Sequence, residues 1–294
     1  MGSGPWPAGR RTEDRGASVL SMGVRLLLPL RSNHKVMKKA IMTVLAVAAL
    51  ASCSVKEDRT PCPCWLTVDL DGCLEHSTDV TVAAWNGRDI YTEDVSASDY
   101  SDGYEKPVPK GQVISTVLCG LRRSSYGSGR VTIPYGEQSD PVRVHRSLLE
   151  CTGEFARDTA VLNKQYANVY LKIEAQEGGD YPYSLVVESD VDGIDTRTLQ
   201  PTSGAFMHPL VPSPDRTCQL RLPRQRDDSR PVIVVYDQGA EADRLPLWKW
   251  IRKTGYSWRD RDLKDIYIGV DYVRAEVSIT IQGWEDGDSM NIIL

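Results

Sequence analysis

The chain has 294 residues, 41% hydrophobic and 26% charged, with a net charge of −5. That balance fits one large domain or two medium ones and excludes wholesale disorder, collagen-like repetition and a multi-span membrane protein. Its 13 Tyr and 7 Trp against 2 Phe favour twisted antiparallel sheets, where a ring is buried at one end and wet at the other.

In chain order, the first feature is an export signal. Met37-Lys38-Lys39 precedes Ala40–Leu50, a run in which only Thr43 is polar. A bilayer span takes about 20 apolar residues, so this is the charged and apolar region of a secretory signal. It ends in Leu50-Ala51-Ser52-Cys53, which is similar to a bacterial lipobox, with the Cys53 thiol as the acceptor of diacylglycerol. The expectation is a signal peptide over residues 37–52, with translation starting at Met37 and residues 1–36 outside the product. Removing residues 1–52 leaves 27 basic and 38 acidic residues, a net charge of about −11. A chain so acidic is a poor partner for nucleic acid and has no polybasic patch for a membrane, so attachment must come through lipid. Lys56-Glu57-Asp58 just behind Cys53 resembles the acidic surface-sorting signal of Bacteroidetes-type lipoproteins. The expected location is the outer membrane, lipid-anchored and exposed at the cell surface.

Strand-like runs follow. Trp65–Leu70 and Val80–Trp85 are two, the second closed by the turn pair Asn86-Gly87. Val113–Cys119 and Arg130–Ile133 come next, and Val144–Leu149 reads as a short helix inside a less ordered stretch. A second series comprises Ala167–Ile173, Tyr183–Val187, Gln219–Leu222 and Pro231–Tyr236. In Leu245–Ile251, Leu247 and Ile251 lie four apart, on one face of a helical turn. Val273, Ala275, Val277, Ile279 and Ile281 alternate with polar residues, a half-buried strand of roughly 33 Å, broken by Gly283 and followed by Trp284. The absence of alternating strands and long amphipathic helices argues against Rossmann and barrel folds and for antiparallel sandwiches. The strands fall into two groups separated near Leu162–Gln165.

The candidates for chemistry each fail a requirement. Cys62-Pro63-Cys64 lacks the spacing and the second ligand pair of a zinc site, and lacks the two intervening residues of a thioredoxin-like site. Without Cys53, the thiols at 62, 64, 73, 119, 151 and 218 form an even set compatible with disulfides after export, with no pairing readable. Asp190-Val191-Asp192-Gly193-Ile194-Asp195 is oxygen-rich, but the twelfth position of an EF-hand would be Pro201, so a polar hairpin loop is expected there. His76, His145 and His208 sit in no nucleophile or metal pattern, and no phosphate-binding glycine loop occurs. The sequence implies no cofactor, no metal and no catalysis.

Taken together, Cys53 with Lys56-Glu57-Asp58, then Cys62-Pro63-Cys64-Trp65-Leu66-Thr67-Val68-Asp69-Leu70, resemble the fimbrial anchor (minor fimbrium subunit) family of Bacteroidales-type (type V) pili. So do Asn168–Ile173, Asp192-Gly193 with Leu199-Gln200-Pro201, Leu245-Pro246-Leu247, and the run Asp262-Leu263, Ile266-Tyr267, Asp271-Tyr272 leading into the last strand and Trp284. The likeness covers residues 53 to about 290 and departs in residues 1–36 and at Gly269-Val270, where a more polar, helix-like stretch is expected. It implies two transthyretin-like antiparallel β-sandwich domains in tandem, residues 53–163 and 164–294, with a lipid on Cys53. It further implies an anchor that holds the major fimbrial shaft subunit at the outer membrane and limits shaft length. Shaft subunits of such pili lose an N-terminal strand and accept one from a neighbour, whereas an anchor keeps its own. Val277, Ile279, Ile281 and Trp284 are the candidate subunit contact. The competing reading is a free-standing surface lipoprotein that binds glycan or protein, with Trp248, Trp250 and Trp258 as its candidate aromatic platform.

Overall fold

The computed structural model describes residues 62–73, 75–77, 79–96, 103–174, 183–271, 276–281 and 290–293. The first half contains β1 (Cys64–Asp69), β2 (Asp79–Trp85), β3 (Asp89–Ser96), β4 (Tyr104–Val108), β5 (Gly111–Cys119), β6 (Ser125–Gly127), β7 (Arg130–Thr132), β8 (Arg143–Cys151), β9 (Phe155–Thr159) and β10 (Asn163–Lys164). Along β1, Cys64, Leu66 and Val68 are fully buried while Trp65 is 43% exposed, the alternation of a sheet with one wet face. A sheet ordered β4-β1-β9 faces one ordered β10-β8-β5-β2-β3. Leu66, Val68, Val82, Val113 and Val117 fill the core between them. Gly87 turns the chain from β2 into β3 with φ of +69°, a conformation that favours glycine.

The second half contains β11 (Tyr166–Glu174), β12 (Ser184–Asp195), β13 (Gln200–Leu210), β14 (Thr217–Pro223), β15 (Val232–Asp237), β16 (Ala240–Leu245), helix α1 (Leu247–Lys253), β17 (Ile266–Asp271), β18 (Glu276–Ile281) and β19 (Met290–Ile293). One sheet runs β14-β11-β17-β18-β19 and the other runs β16-β15-β12, with β13 also paired to β12. Val169, Leu171, Leu185, Val187, Leu220, Ile233 and Ile268 belong to the core between them. Helix α1 forms where expected and turns Leu247, Trp250 and Ile251 inward.

The two halves repeat one connectivity. β1 lies between an antiparallel β4 and a parallel β9, as β11 lies between an antiparallel β14 and a parallel β17. β2 pairs with β3 and β5, and β5 with β8; β12 pairs with β13 and β15, and β15 with β16. The fold is thus all-β, two sandwiches in tandem, each with one parallel pair among antiparallel ones. Two hairpins break the repeat: β6–β7 in the first half, and β18–β19 appended to the second.

Two local readings are corrected. Residues 144–149 are not helical but belong to β8, which pairs with β5 from Gly111↔Cys151 to Cys119↔Arg143. A full-length neighbour of that kind outweighs the weak local pattern of a segment whose Leu148 stays 51% exposed. Asp190–Asp195 is not the loop of a hairpin but the end of β12, bulged around Val191; the turn comes afterwards, before Gln200, with Leu199 at φ of +57°. Gly269 and Val270, where the sequence departs from the family pattern, lie in β17, and a Cβ on Gly269 would come within 2.4 Å of Ser278 Oγ.

Hairpin β6–β7 leaves the first sandwich and joins the second. β13 occupies one edge of β12 from Leu185 to Asp195. On the other edge β15 pairs with Ser184–Glu188 and β7 pairs with Gly193–Asp195. Leu118, Val131, Val142, Val144 and Ile194 pack together beneath this junction, joining residues from both halves. Gly193 permits it: a Cβ there would stand 1.9 Å from the Val131 carbonyl oxygen. Gly193→Ala is expected to cost about 1–3 kcal/mol in denaturant unfolding, as overpacking against backbone does. Faster amide exchange at Ile133 and Thr196, whose N–H groups bond across the junction, should accompany the loss.

Candidate functional site

Among the described residues, no group of three or more His, Cys, Asp or Glu is placed to hold a metal ion. The three carboxylates of the Asp190–Asp195 segment each meet an arginine instead. Arg130 donates to both oxygens of Asp192 at 2.8 and 2.9 Å, with Thr202 Oγ1 donating at 2.8 Å. Asp195 pairs with Arg197, whose guanidinium lies 5.3 Å from the Trp85 ring of the first sandwich, and Asp190 pairs with Arg226. Of these pairs Arg130–Asp192 ties the two halves together, while Asp195–Arg197 and Asp190–Arg226 brace the second half around it.

A second set of contacts supports the crossing chain. Asp140 Oδ2 accepts the backbone N–H groups of Arg122, Arg123 and Ser124 at 2.7–2.8 Å, shaping the loop that leads into β6. Burial pushes the Asp140 carboxyl up, but those donors hold it below its ordinary value. At the other end of the junction, Lys164 Nζ donates to Asp265 at 2.6 Å in a pair whose side chains are 9% and 12% exposed. Asp265 also accepts from the Asn168 amide, and Asp262 accepts the Lys164 backbone N–H at 2.6 Å.

The sandwiches also enclose a polar cleft of 570 Å³, lined in part by Arg146, Gln165, Gln200, Arg224, Arg226 and Trp258. Three of its arginines are engaged by the protein: Arg224 with Gln165 and the carbonyls of Trp258 and Arg261, Arg226 with Asp190, and Arg146 with the Arg197 carbonyl. His145, buried in the first sandwich, accepts the Val161 N–H on Nδ1 and bonds through Nε2 to Asp158, which Ser147 also reaches at 2.7 Å. These hydrogen bonds tie β8 to β9 within the first sandwich.

The exposed surface carries two further features. The tryptophans do not form a platform: Trp250 is buried, Trp258 packs edge-on against Tyr256, and Trp248 lies against Arg230 and Lys249. The wet face of the β14-β11-β17-β18 sheet instead carries Tyr170 and Tyr267, direct register partners stacked at 4.8 Å with 9° between their planes. Beside them Lys172, Thr217, Gly269, Ser278 and Thr280 help to line an open depression of 410 Å³. No signal in a single sequence marks this pair, because the two residues become neighbours only when β11 and β17 pair in parallel.

Of the residues singled out from sequence, Cys53, Lys56, Glu57, Asp58 and Trp284 lie outside the described residues, as does the stretch with Val273 and Ala275. Val277, Ile279 and Ile281 lie on β18, in register with Val270, Ile268 and Ile266, and Ile281 is buried. β18 has a neighbour on each side, β17 and β19, so the edge of that sheet is β19. β1 is likewise a central strand, paired on both sides. Cys62, Cys64, Cys73, Cys119, Cys151 and Cys218 are free thiols. No described helix is long and apolar enough to cross a membrane.

The tandem topology matches known structures. The fimbrial anchor protein Mfa2 from Porphyromonas gingivalis superimposes with a TM-score of 0.54 at 14% identity, over 76% of this chain and 98% of that one. The fold is shared with that fimbrial anchor protein. A candidate polysaccharide-binding protein from Bacteroides thetaiotaomicron gives 0.54 at 13% identity over 78% and 98% of the two chains. A candidate adhesin from Bacteroides ovatus gives 0.52 at 12% over 81% and 97%. Comparison of the sequence with family models and with curated proteins finds no match.

Asp140 gives a test of the junction with a defined pH dependence. Its folded pKa is lowered, so its contribution is complete above the unfolded carboxylate value of about 4 and is lost as pH falls through the folded value. Asp140→Asn should cost about 1–2 kcal/mol at pH 7, and its gap from the parent protein should close as pH falls below about 4. Thermal unfolding of both proteins across pH 2–7 checks it. Asp265→Ala, which strands a buried ammonium, should cost more, about 3–5 kcal/mol in denaturant unfolding at pH 7.

Proposed function

We propose that the chain is a non-enzymatic outer-membrane lipoprotein that anchors a fimbrial shaft at the cell surface through a lipid on Cys53 and limits the length of that shaft. The observation that carries this reading is the position of β1. The strand that follows the Cys53 tether by about ten residues is the central strand of its sheet, hydrogen-bonded to β4 and β9 and buried through Cys64, Leu66 and Val68. A pull on the tether is then met by the interior of the first sandwich. The match in fold to a fimbrial anchor supports the same reading. In it, Lys56-Glu57-Asp58 directs the lipoprotein outward, and the major shaft subunit engages the far end of the second sandwich. There the strand that carries Val277, Ile279 and Ile281 pairs with β19, which ends the sheet among the described strands and accepts a neighbouring strand by main-chain hydrogen bonding, with Trp284 in the segment between the two in sequence. The sandwiches correspond to residues 53–163 and 164–294, with hairpin β6–β7 lent by the first to the second.

One observation favours a second reading, a surface lipoprotein that binds glycan: the stacked Tyr170 and Tyr267 beside an open depression that Thr217, Ser278 and Thr280 help to line. Aromatic faces flanked by hydroxyls suit sugar rings, and a candidate polysaccharide-binding protein shares the fold.

Extraction of the lipidated protein from its native cells, with identification of what comes with it, separates the two. The anchor reading expects pilus shaft subunits to co-purify, an N-terminal peptide starting at acylated Cys53, and antibody labelling of intact cells. Cys53→Ala should release a folded protein together with shed pili. Loss of glycan retention in Tyr267→Ala, with pili unaffected by deletion of the protein, would favour the second reading.

A further inference from the structure

Two buried cysteines meet at one corner of the first sandwich. Cys64 opens β1 in one sheet, Cys151 closes β8 in the facing sheet, and both have 0% exposure. Two chain crossings bring them to the same place. Cys64 is the register partner of Val108 at the end of β4, and three residues on, Gly111 at the start of β5 is the register partner of Cys151. On the opposite flank the chain runs from Cys151 through Thr152, Gly153 and Glu154 into β9, and the Glu154 carbonyl accepts the Trp65 N–H at 2.8 Å. The chain that leaves Cys151 therefore arrives within one residue of Cys64. The Cys151 thiol is pushed up to about 11, first by burial and then by the neighbouring Cys64.

We propose that Cys64 and Cys151 are the two halves of a disulfide bond that staples β1 to β8. Closure forms the Sγ–Sγ bond and removes one hydrogen from each thiol. The two protons and two electrons pass to a disulfide of the glutathione or protein-oxidant class, which is reduced to two thiols. Cys62 and Cys218 are less suited to either partner. Cys62 is exposed, and Cys218 lies in the core of the second sandwich. Both sulfurs are closed off from an outside oxidant in the folded protein, so the bond closes while β1 and β8 are still docking. Once formed, it carries tension from the N-terminal segment directly into β8, which sits between β5 and β10, bypassing the hydrogen bonds of β1.

The full chain refolded in a reduced and oxidised glutathione couple, then alkylated, digested and mapped by mass spectrometry, tests this. A linked peptide pair containing Cys64 and Cys151 is expected, with a melting temperature that falls by about 10 °C on reduction, as for a loop of this length. The double variant Cys64→Ala, Cys151→Ala should fold, melt near the reduced value and lose its response to reductant. Already folded, reduced protein should resist the same oxidant. Alkylation of both residues after oxidative refolding, or linkage of either one to Cys62, Cys73 or Cys119, would overturn the pairing.

Discussion

Strand β12 has twelve residues and two edges, and the filling of those edges sets the arrangement of the molecule. β13 satisfies one edge along nearly its whole length, while β15 covers only Ser184–Glu188 of the other. The remaining N–H and C=O groups need partners, because unpaired backbone in a buried sheet is costly. β7, drawn from the first sandwich, supplies them at Gly193–Asp195. The glycine at 193, the Arg130–Asp192 pair and the Asp140 cradle all serve this one contact. Together with the cluster of Leu118, Val131, Val142, Val144 and Ile194, they make the tandem sandwiches one body instead of two domains on a flexible linker.

This arrangement bears on how load would pass through the molecule. In the proposed role, force enters near β1 and leaves at the far end of the second sandwich. Along that route it meets a central strand, a shared sheet and a buried ion pair at Lys164–Asp265. Buried ion pairs add little net stability but resist being pulled apart, since either partner left alone is strongly disfavoured. The acidic character of the chain is also informative here. Asp190, Asp192 and Asp195 are each paired with an arginine, and the Arg130–Asp192 pair binds the halves together.

Much of the fold was legible in the sequence wherever a strand has one wet face. β1, β2, β5, β11 and β15 follow their apolar runs to within a few residues, and α1 follows the Leu247–Ile251 spacing. The failures have a common physical cause. β8 reads weakly because its Leu148 is exposed and its His145 buried, and only pairing with β5 makes it a strand. The Asp190–Asp195 segment looks like a loop because its partners, Arg130 and Arg226, stand 62 and 36 residues away. The repeated connectivity of the two halves leaves no trace in side-chain identity, since a strand order constrains pattern and not residue type. The stacked Tyr170–Tyr267 pair and the meeting of Cys64 with Cys151 depend likewise on which strands become neighbours.

The central claim is that a shared sheet makes the two sandwiches a single cooperative unit, and calorimetric unfolding measures this directly. The account predicts one transition whose calorimetric and van't Hoff enthalpies agree, for the body spanning residues 59–294. Two separable transitions, with one sandwich melting while the other keeps its protected amides, would contradict it.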